Sequence, residues 1–383
     1  MPSTAPAPVA TQSYRERFPI FRHSIYLNSC SLGALSIRAR ERVNEYLDLW
    51  ETRGAAAWYD VWWAALDELR TRYGRIVGAA GSEIALHPNI SSALTAVGES
   101  LDYTRRPKVV VTSLDFPTIA YQWMAKAGQG VEVVVVESPD GTRVPLEAIE
   151  RAVDDRTALI ATSHVFFTSG ALQDAKAIAG IAHRRGALAL IDGYQAAGQV
   201  PVDVKALDVD FYCSGGLKWL LGGTGVAFLY VRPELTPRLR PSATGWFSQR
   251  EQFRFDPRSF EPHDDARRFE AGTPPLMPVY AQLGGLEVLE EIGSREIRRR
   301  TMELTEDLIE CARAAGFRPK VAPDAAERTA IVMLPSADPH ADVKRLAEAK
   351  IVTDARPGHV RISPYFYNVR DDHRAAIERL ARD

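Results

Sequence analysis

The chain has 383 residues, 46% hydrophobic and 25% charged, with a formal net charge of −2. It is long enough for a large core and two domains, and its balanced charge signals neither a nucleic-acid partner nor an anionic membrane surface. No apolar run approaches the about 18 residues of a membrane helix, and three cysteines (Cys30, Cys213 and Cys311) are too few and too odd for a disulfide framework, which points to a reducing, cytoplasmic setting.

The opening residues, MPSTAPAPVATQS, lack the charged and apolar regions of a signal peptide and read as a disordered lead-in. Ile25 to Asn28 reads as a short extended piece. Apolar residues recur at helical spacing over Arg38–Trp50 and again over Trp58–Val77, where Trp62, Leu66, Leu69, Tyr73 and Ile76 form an aromatic and aliphatic stripe suited to a core or subunit interface. Ile84–His87 reads as a strand, Pro88 to Ser92 as a turn, and helical spacing resumes at Ala93. Strands follow at Val109–Thr112, Val131–Val136 and Thr157–Thr162, with Phe116-Pro117-Thr118 as a break and Asp174–Arg185 as a helix. Three more apolar runs, Ala187–Ile191, Val209–Cys213 and Val226–Tyr230, are separated by turn residues. Strands alternating with helices predict an α/β fold with a largely parallel sheet.

After Pro233 the periodicity fades, and 232–268 reads as an ordered loop region. Pro274-Pro275 precede a helix over Met277–Ile292 and another to about residue 315. Strands near 329–334 and 359–363 and helices near 340–348 and 371–381 complete a smaller α/β unit. The expected division is an N-terminal segment to residue 24, a large domain over 25–274, and a small C-terminal domain over 275–383 with the N-terminal segment packed against it.

Two strand ends carry the chemistry. Ala187–Ile191 ends at Asp192, and Val209–Cys213 runs through Ser214, Gly215, Gly216 and Leu217 into Lys218. The C-terminal ends of strands are where open α/β sheets hold their ligands. A lysine amine can hold a carbonyl cofactor as a Schiff base, and a carboxylate can keep a pyridine nitrogen protonated. Pyridoxal phosphate requires both. Asn89-Ile90-Ser91-Ser92, placed just before a helix, suits a phosphate as well as a plain N-cap. No Cys/His cluster has metal-ligand spacing, so no metal is expected.

This combination closely resembles the class V aminotransferase family of fold type I pyridoxal-phosphate enzymes. Asp192, Gln195 three positions on, a small-residue loop ending in Lys218 and a Gly-rich turn carry the resemblance, which extends from Tyr26 to about Asp372. It implies a large domain with a mostly parallel seven-stranded sheet, a small C-terminal domain, and pyridoxal 5'-phosphate on Lys218. By the same resemblance Ile90, Ser91, Ser214 and Gly215 would meet the phosphate. Phe116 would stack on the ring, Asp192 would bond its nitrogen and Gln195 would face its oxygen. Gly245-Trp246-Phe247 is similar to a kynureninase Gly-Trp-Trp that lines the cofactor through Trp246. Arg268 to Pro274 matches a motif whose Thr273 reaches the phosphate from a neighbouring subunit, which implies a homodimer. Arg361 would clamp the substrate carboxylate, with Asn28 also on the substrate side. His164 is open to two readings, a ring contact or a satisfied structural histidine.

The local wording is closest to the kynureninase and isopenicillin-N-epimerase branch, yet two positions depart from it. Leu217 replaces the Tyr or His that many relatives carry before the lysine, and Phe167 stands where the family often has Asn. Residues 350–361 contain no cysteine, unlike the corresponding loop of cysteine desulfurases; neither Cys30 nor Cys213 matches that loop. The resemblance thus implies an enzyme acting on a small amino-acid substrate. Transamination, C–S lysis or other β-elimination, kynureninase-like hydrolysis and epimerisation all remain open, with desulfuration less favoured. A catalytically silent binding protein on the same fold would lack the lysine or the aspartate, and both are here.

Overall fold

Runs rich in Val, Ile and Leu that are apolar on both faces belong inside a parallel sheet covered on both sides, and that is where they lie. The computed structural model describes residues 11–382; of the disordered lead-in expected over the first thirteen residues, the first ten lie outside them, while Thr11 to Ser13 are helical and open the short helix Thr11–Glu16. Seven strands, β1 (Ile84–His87), β2 (Lys108–Thr112), β3 (Glu132–Val136), β4 (Thr157–Ser163), β5 (Leu188–Asp192), β6 (Phe211–Gly215) and β7 (Ala227–Val231), form one sheet in the order β1-β7-β6-β5-β4-β2-β3. Six run parallel, and β7 alone is antiparallel to both its neighbours.

Alternation along the strands sorts the core into two layers. Val110, Ile160, Ile191, Tyr212 and Phe228 face one layer, packed with helices α1 (Ile37–Arg53), α2 (Trp62–Val77) and further elements of that side. Val109, Leu159, Leu190, Phe211 and Leu229 face the other, packed with α3 (Ile90–Gly98) and α4 (Pro117–Met124). The stripe of α2 is buried at Trp62, Leu66, Leu69 and Tyr73, and Tyr73 stacks on Phe228 at 3.9 Å. The α-helix itself starts at Trp62 rather than Trp58, because Gly54–Trp58 forms a 3-10 turn after α1.

Helix α3 also differs from expectation. It begins at Ile90, three residues before the apolar periodicity shows, because the Asn89 side chain accepts the Ser92 N–H at 3.0 Å and caps it. The seam helices α5 (Leu146–Ala152) and α6 (Ala175–Arg184) follow β3 and β4. Helix α7 (Leu276–Ile292) packs on α1, and its apolar face joins the first layer.

A third core is separate. Helices α8 (Ser294–Ala314), α9 (Pro339–Glu348) and α10 (Arg370–Leu380) and strands β8 (Val332–Pro335), β9 (Asp354–Arg356) and β10 (His359–Ile362) build it from Leu308, Leu334, Leu346, Ile362 and Ile377, and Leu27 joins them from the other end of the chain. The three strands form an antiparallel sheet in the order β9-β10-β8. Ile25–Tyr26 pairs in parallel with Ile351–Val352. Among the described residues no helix is long and apolar enough to cross a membrane.

One buried ion pair fixes the strand that leads into α3. Arg70 donates from Nε and Nη2 to the Glu270 carboxylate at 2.9–3.1 Å, and Glu270 also accepts the Leu86 N–H at 2.9 Å. Burial pushes the Glu270 carboxyl up and Arg70 opposes that. Removing the guanidinium leaves a carboxylate stranded among apolar groups. Arg70→Ala is expected to lower unfolding stability by about 3–5 kcal/mol, read from urea denaturation of the apo and cofactor-loaded protein.

Candidate active site

The parallel strands end on one edge of the sheet, and the segments that leave that edge surround a cavity of about 260 Å³. Each wall follows from local structure. At one end the first turn of α3 presents Ile90 and Ser91. N–H groups in a first helical turn have no carbonyl a turn earlier, so this end favours an anion. Phe116 is the N-cap residue of α4, with Pro117 as the first helical residue, and its ring meets Phe167 edge to face at 5.3 Å.

Asp192 stands at the end of β5. Burial lifts its pKa to about 7, against the pull of the Tyr194 N–H (2.8 Å) and of the Lys218 charge, while Asp115 pushes it further up. Asp115 was not anticipated from the sequence. It is buried, bonds the Thr112 and Ser163 N–H groups and the Thr162 hydroxyl, and so ties the ends of β2 and β4 together. Lys218 lies in the loop after β6. Burial brings its pKa down to about 8, with Cys30 pulling up and Arg361 pushing down. Its Nζ is 4.7 Å from the centroid of the Tyr194 ring. Tyr194 can lie there because residue 215 is glycine: a Cβ at Gly215 would sit 2.2 Å from that ring.

The structure therefore brings Ile90, Ser91, Phe116, Asp192, Gln195 and Lys218 onto one cavity, with Leu217 and Phe167 beside them. An anion-favouring helix start, a flat apolar wall, a buried acid that exchanges protons near neutrality and a buried amine are the four demands of pyridoxal phosphate, and all are met on one surface. Gln195 is partly committed: its Nε2 donates to the Cys30 carbonyl at 3.0 Å and its Oε1 accepts from Trp219 at 2.7 Å.

Other expected site residues lie off that wall. The Ser214 hydroxyl donates to the Tyr73 hydroxyl at 2.7 Å inside the core, because the alternation of β6 turns it to the α2 side, and it lies off the cavity wall. Gly215 is likewise off the wall and serves the Tyr194 packing. Trp246 belongs to an exposed aromatic cluster with Trp63, Phe253 and Phe255, its Nε1 bonded to the Gln252 carbonyl. Thr273 lines a second hollow of about 250 Å³ with His87, Ser92 and Thr95. Arg361 is 1% exposed and reaches Asp354 (2.5 Å), Ser31 (2.7 Å) and the Phe167 carbonyl (3.0 Å). Asn28 bridges to Ser363 and donates to the Thr353 carbonyl at 3.5 Å. His164 takes the structural role: its Nδ1 meets the Tyr212 hydroxyl at 3.1 Å, and burial lowers its pKa to about 4. Tyr194, Thr118 and Ser163 line the cavity without having been singled out. Tyr194 sits between Asp192 and Gln195, which is the one signal that pointed to it.

Comparison with known proteins shows the family and the fold. The family model for class V aminotransferases matches residues 38–377. An uncharacterized aminotransferase, YcbU, from Bacillus subtilis is 34% identical over 97% of this chain and 97% of its own. A kynureninase from Pseudomonas fluorescens is 30% identical, covering 89% of this chain and 84% of that one. Among solved structures, a C-DES chain with glycine covalently linked to its PLP cofactor superposes with a TM-score of 0.88 at 22% identity, covering 98% of this chain and 100% of that one.

The lowered pKa of Lys218 has a measurable outcome. Only the neutral amine attacks a carbonyl, and its fraction grows as pH rises through the pKa. Borohydride-trapped capture of pyridoxal phosphate by the apo protein should climb with pH to a plateau with a midpoint near 8, and Lys218→Ala should trap none at this position by peptide mass. A midpoint near that of a free lysine would contradict the burial described here.

Proposed function

Because the chain belongs to the class V aminotransferase family, we propose that it moves the amine of an amino acid to a keto acid, with Lys218 as the proton carrier. The enzyme depends on pyridoxal phosphate. When bound, that cofactor supplies a carbonyl that joins reversibly to amines and an electron sink beside the substrate α-carbon. The first turn of α3 at Ile90 and Ser91 holds the phosphate. Phe116 covers one face of the ring. Asp192, with its pKa near 7, keeps a proton at the ring nitrogen. Lys218 would hold the cofactor carbonyl and, once freed by the substrate amine, would carry the proton of the substrate α-carbon.

One observation carries the choice of reaction. Apart from Asp192 and Lys218, the polar side chains on the cavity wall are the hydroxyls of Ser91, Thr118, Ser163 and Tyr194 and the amide of Gln195. Burial raises the Tyr194 phenol to about 12, so it stays protonated. Epimerisation uses a second base on the opposite face, and hydrolytic cleavage of a side chain uses a base that activates water. Leu217 occupies the position nearest the lysine where such a group would stand. Amine transfer needs one base at the α-carbon, and Lys218 is that base, Asp192 being taken up by the ring nitrogen and Tyr194 staying protonated.

The same reading takes 25–274 as the cofactor-binding domain and 275–383 as the small domain, working in the cytoplasm. It includes a homodimer in which Thr273 of the partner subunit reaches the phosphate; Thr273 lying outside the cavity of its own chain supports this.

The test is a half-reaction. Holoenzyme mixed with a panel of amino acids and no keto acid should lose its visible absorption band and yield at most one keto acid per site. Adding a second keto acid should restore the band. Many turnovers without a keto acid, with release of ammonia or of a side-chain fragment such as anthranilate from kynurenine, would replace amine transfer by a lyase or hydrolase reading.

A further inference from the structure

We propose that the site selects amino acids with uncharged apolar or aromatic side chains, and that Phe167 is the residue that sets this choice. The inference rests on the reading of the site as an amino-acid-processing centre. Lys218 Nζ marks where a substrate α-carbon must come. Apart from Phe116 under the ring and Ile90 at the phosphate end, the apolar residues lining the same cavity are Leu217, Val165 and Phe167. Val165 is buried, while Phe167 and Leu217 are half-buried. An apolar side chain lying on these residues removes apolar surface from water on both partners, which a charged side chain cannot do.

The charges point the same way. A second carboxylate on the substrate would need a second cation. Arg361 already meets Asp354 and Ser31 through Nη2 and the Phe167 carbonyl through Nη1, and Arg356 also bonds Asp354 at 2.7 Å. Arg361 keeps one buried donor, Nε, with no hydrogen-bond partner. That donor is buried away from the cavity wall, where Lys218 is the one cation among the described residues, so a second carboxylate meets no cation there. A side-chain ammonium fares no better, since the acid on the cavity wall is Asp192, which the cofactor ring requires.

Phe167 joins the two halves of this arrangement. Its backbone carbonyl holds Arg361, and its ring packs edge to face on Phe116 at an interplanar angle of 75°. A smaller or polar side chain there would open the apolar wall while leaving the carbonyl in place.

The experiment measures the spectral half-reaction of the holoenzyme with leucine, methionine, phenylalanine, aspartate, glutamate and lysine. The best apolar substrate should exceed the charged ones by roughly 100-fold in kcat/KM, the scale set by placing an unpaired charge against an apolar wall. Phe167→Asn should reduce that preference about tenfold, mainly by raising KM for apolar substrates. Phe167→Leu should restore most of it, and an unchanged cofactor band in both variants shows that the fold is intact. Aspartate, glutamate or lysine within tenfold of the best apolar substrate would overturn the inference and leave the function reading standing, as would a Phe167→Asn enzyme with the wild-type preference. If no amino acid perturbs the band, both fail together.

Discussion

An amine and a carboxyl kept out of water at neighbouring strand ends are the constraint on which this molecule turns. Alone in an apolar interior, each would simply go neutral. Here burial moves the two toward one another, Lys218 down to about 8 and Asp192 up to about 7. Their protons become exchangeable near neutral pH, which no exposed Lys or Asp offers. The parallel sheet makes this arrangement possible, because it delivers several strand ends to a single edge.

The lysine loop is held from both ends of the chain. Trp219, next to Lys218, donates to Gln195, and Gln195 donates to the Cys30 carbonyl. The Gly33 N–H bonds the Leu217 carbonyl at 2.9 Å. From the C-terminal side the Tyr365 hydroxyl lies 2.6 Å from the Gly198 carbonyl and 3.0 Å from the Trp219 carbonyl. Cys30 and Tyr365, 188 positions before Lys218 and 147 after it, thus share one small network, and a site of this kind is pre-organised by packing rather than by the loop's own conformation.

Much of this could be read from the residues. The strands were legible because their apolar runs are short and bounded by turn residues, and Asp192 and Lys218 because charged groups at such strand ends are conspicuous. What stayed hidden was side-chain direction and partnership. Nothing in the spacing of Ser214 told that the alternation of β6 turns it to Tyr73. Arg361 could be recognised as a carboxylate binder, but not that Asp354, seven residues earlier, already engages it across a strand pair. Asp115 was missed because a lone Asp before Phe-Pro has the same local appearance whether it caps a turn or links two strand ends. The early start of α3 was obscured because Asn89, not apolar periodicity, defines it.

The antiparallel strand β7 has a consequence for how the protein comes into being. Strand β1 is the first of the large sheet to leave the ribosome, and β7, its sheet neighbour, is the last. Through most of synthesis β1 and the helix start behind it have no sheet to join. Contacts so distant in sequence form late and slowly. The start of α3 is therefore the part of the large sheet's edge anchored last, and a nascent chain cut short before residue 227 would carry Asp192 and Lys218 with β1 and α3 still unpaired at that edge.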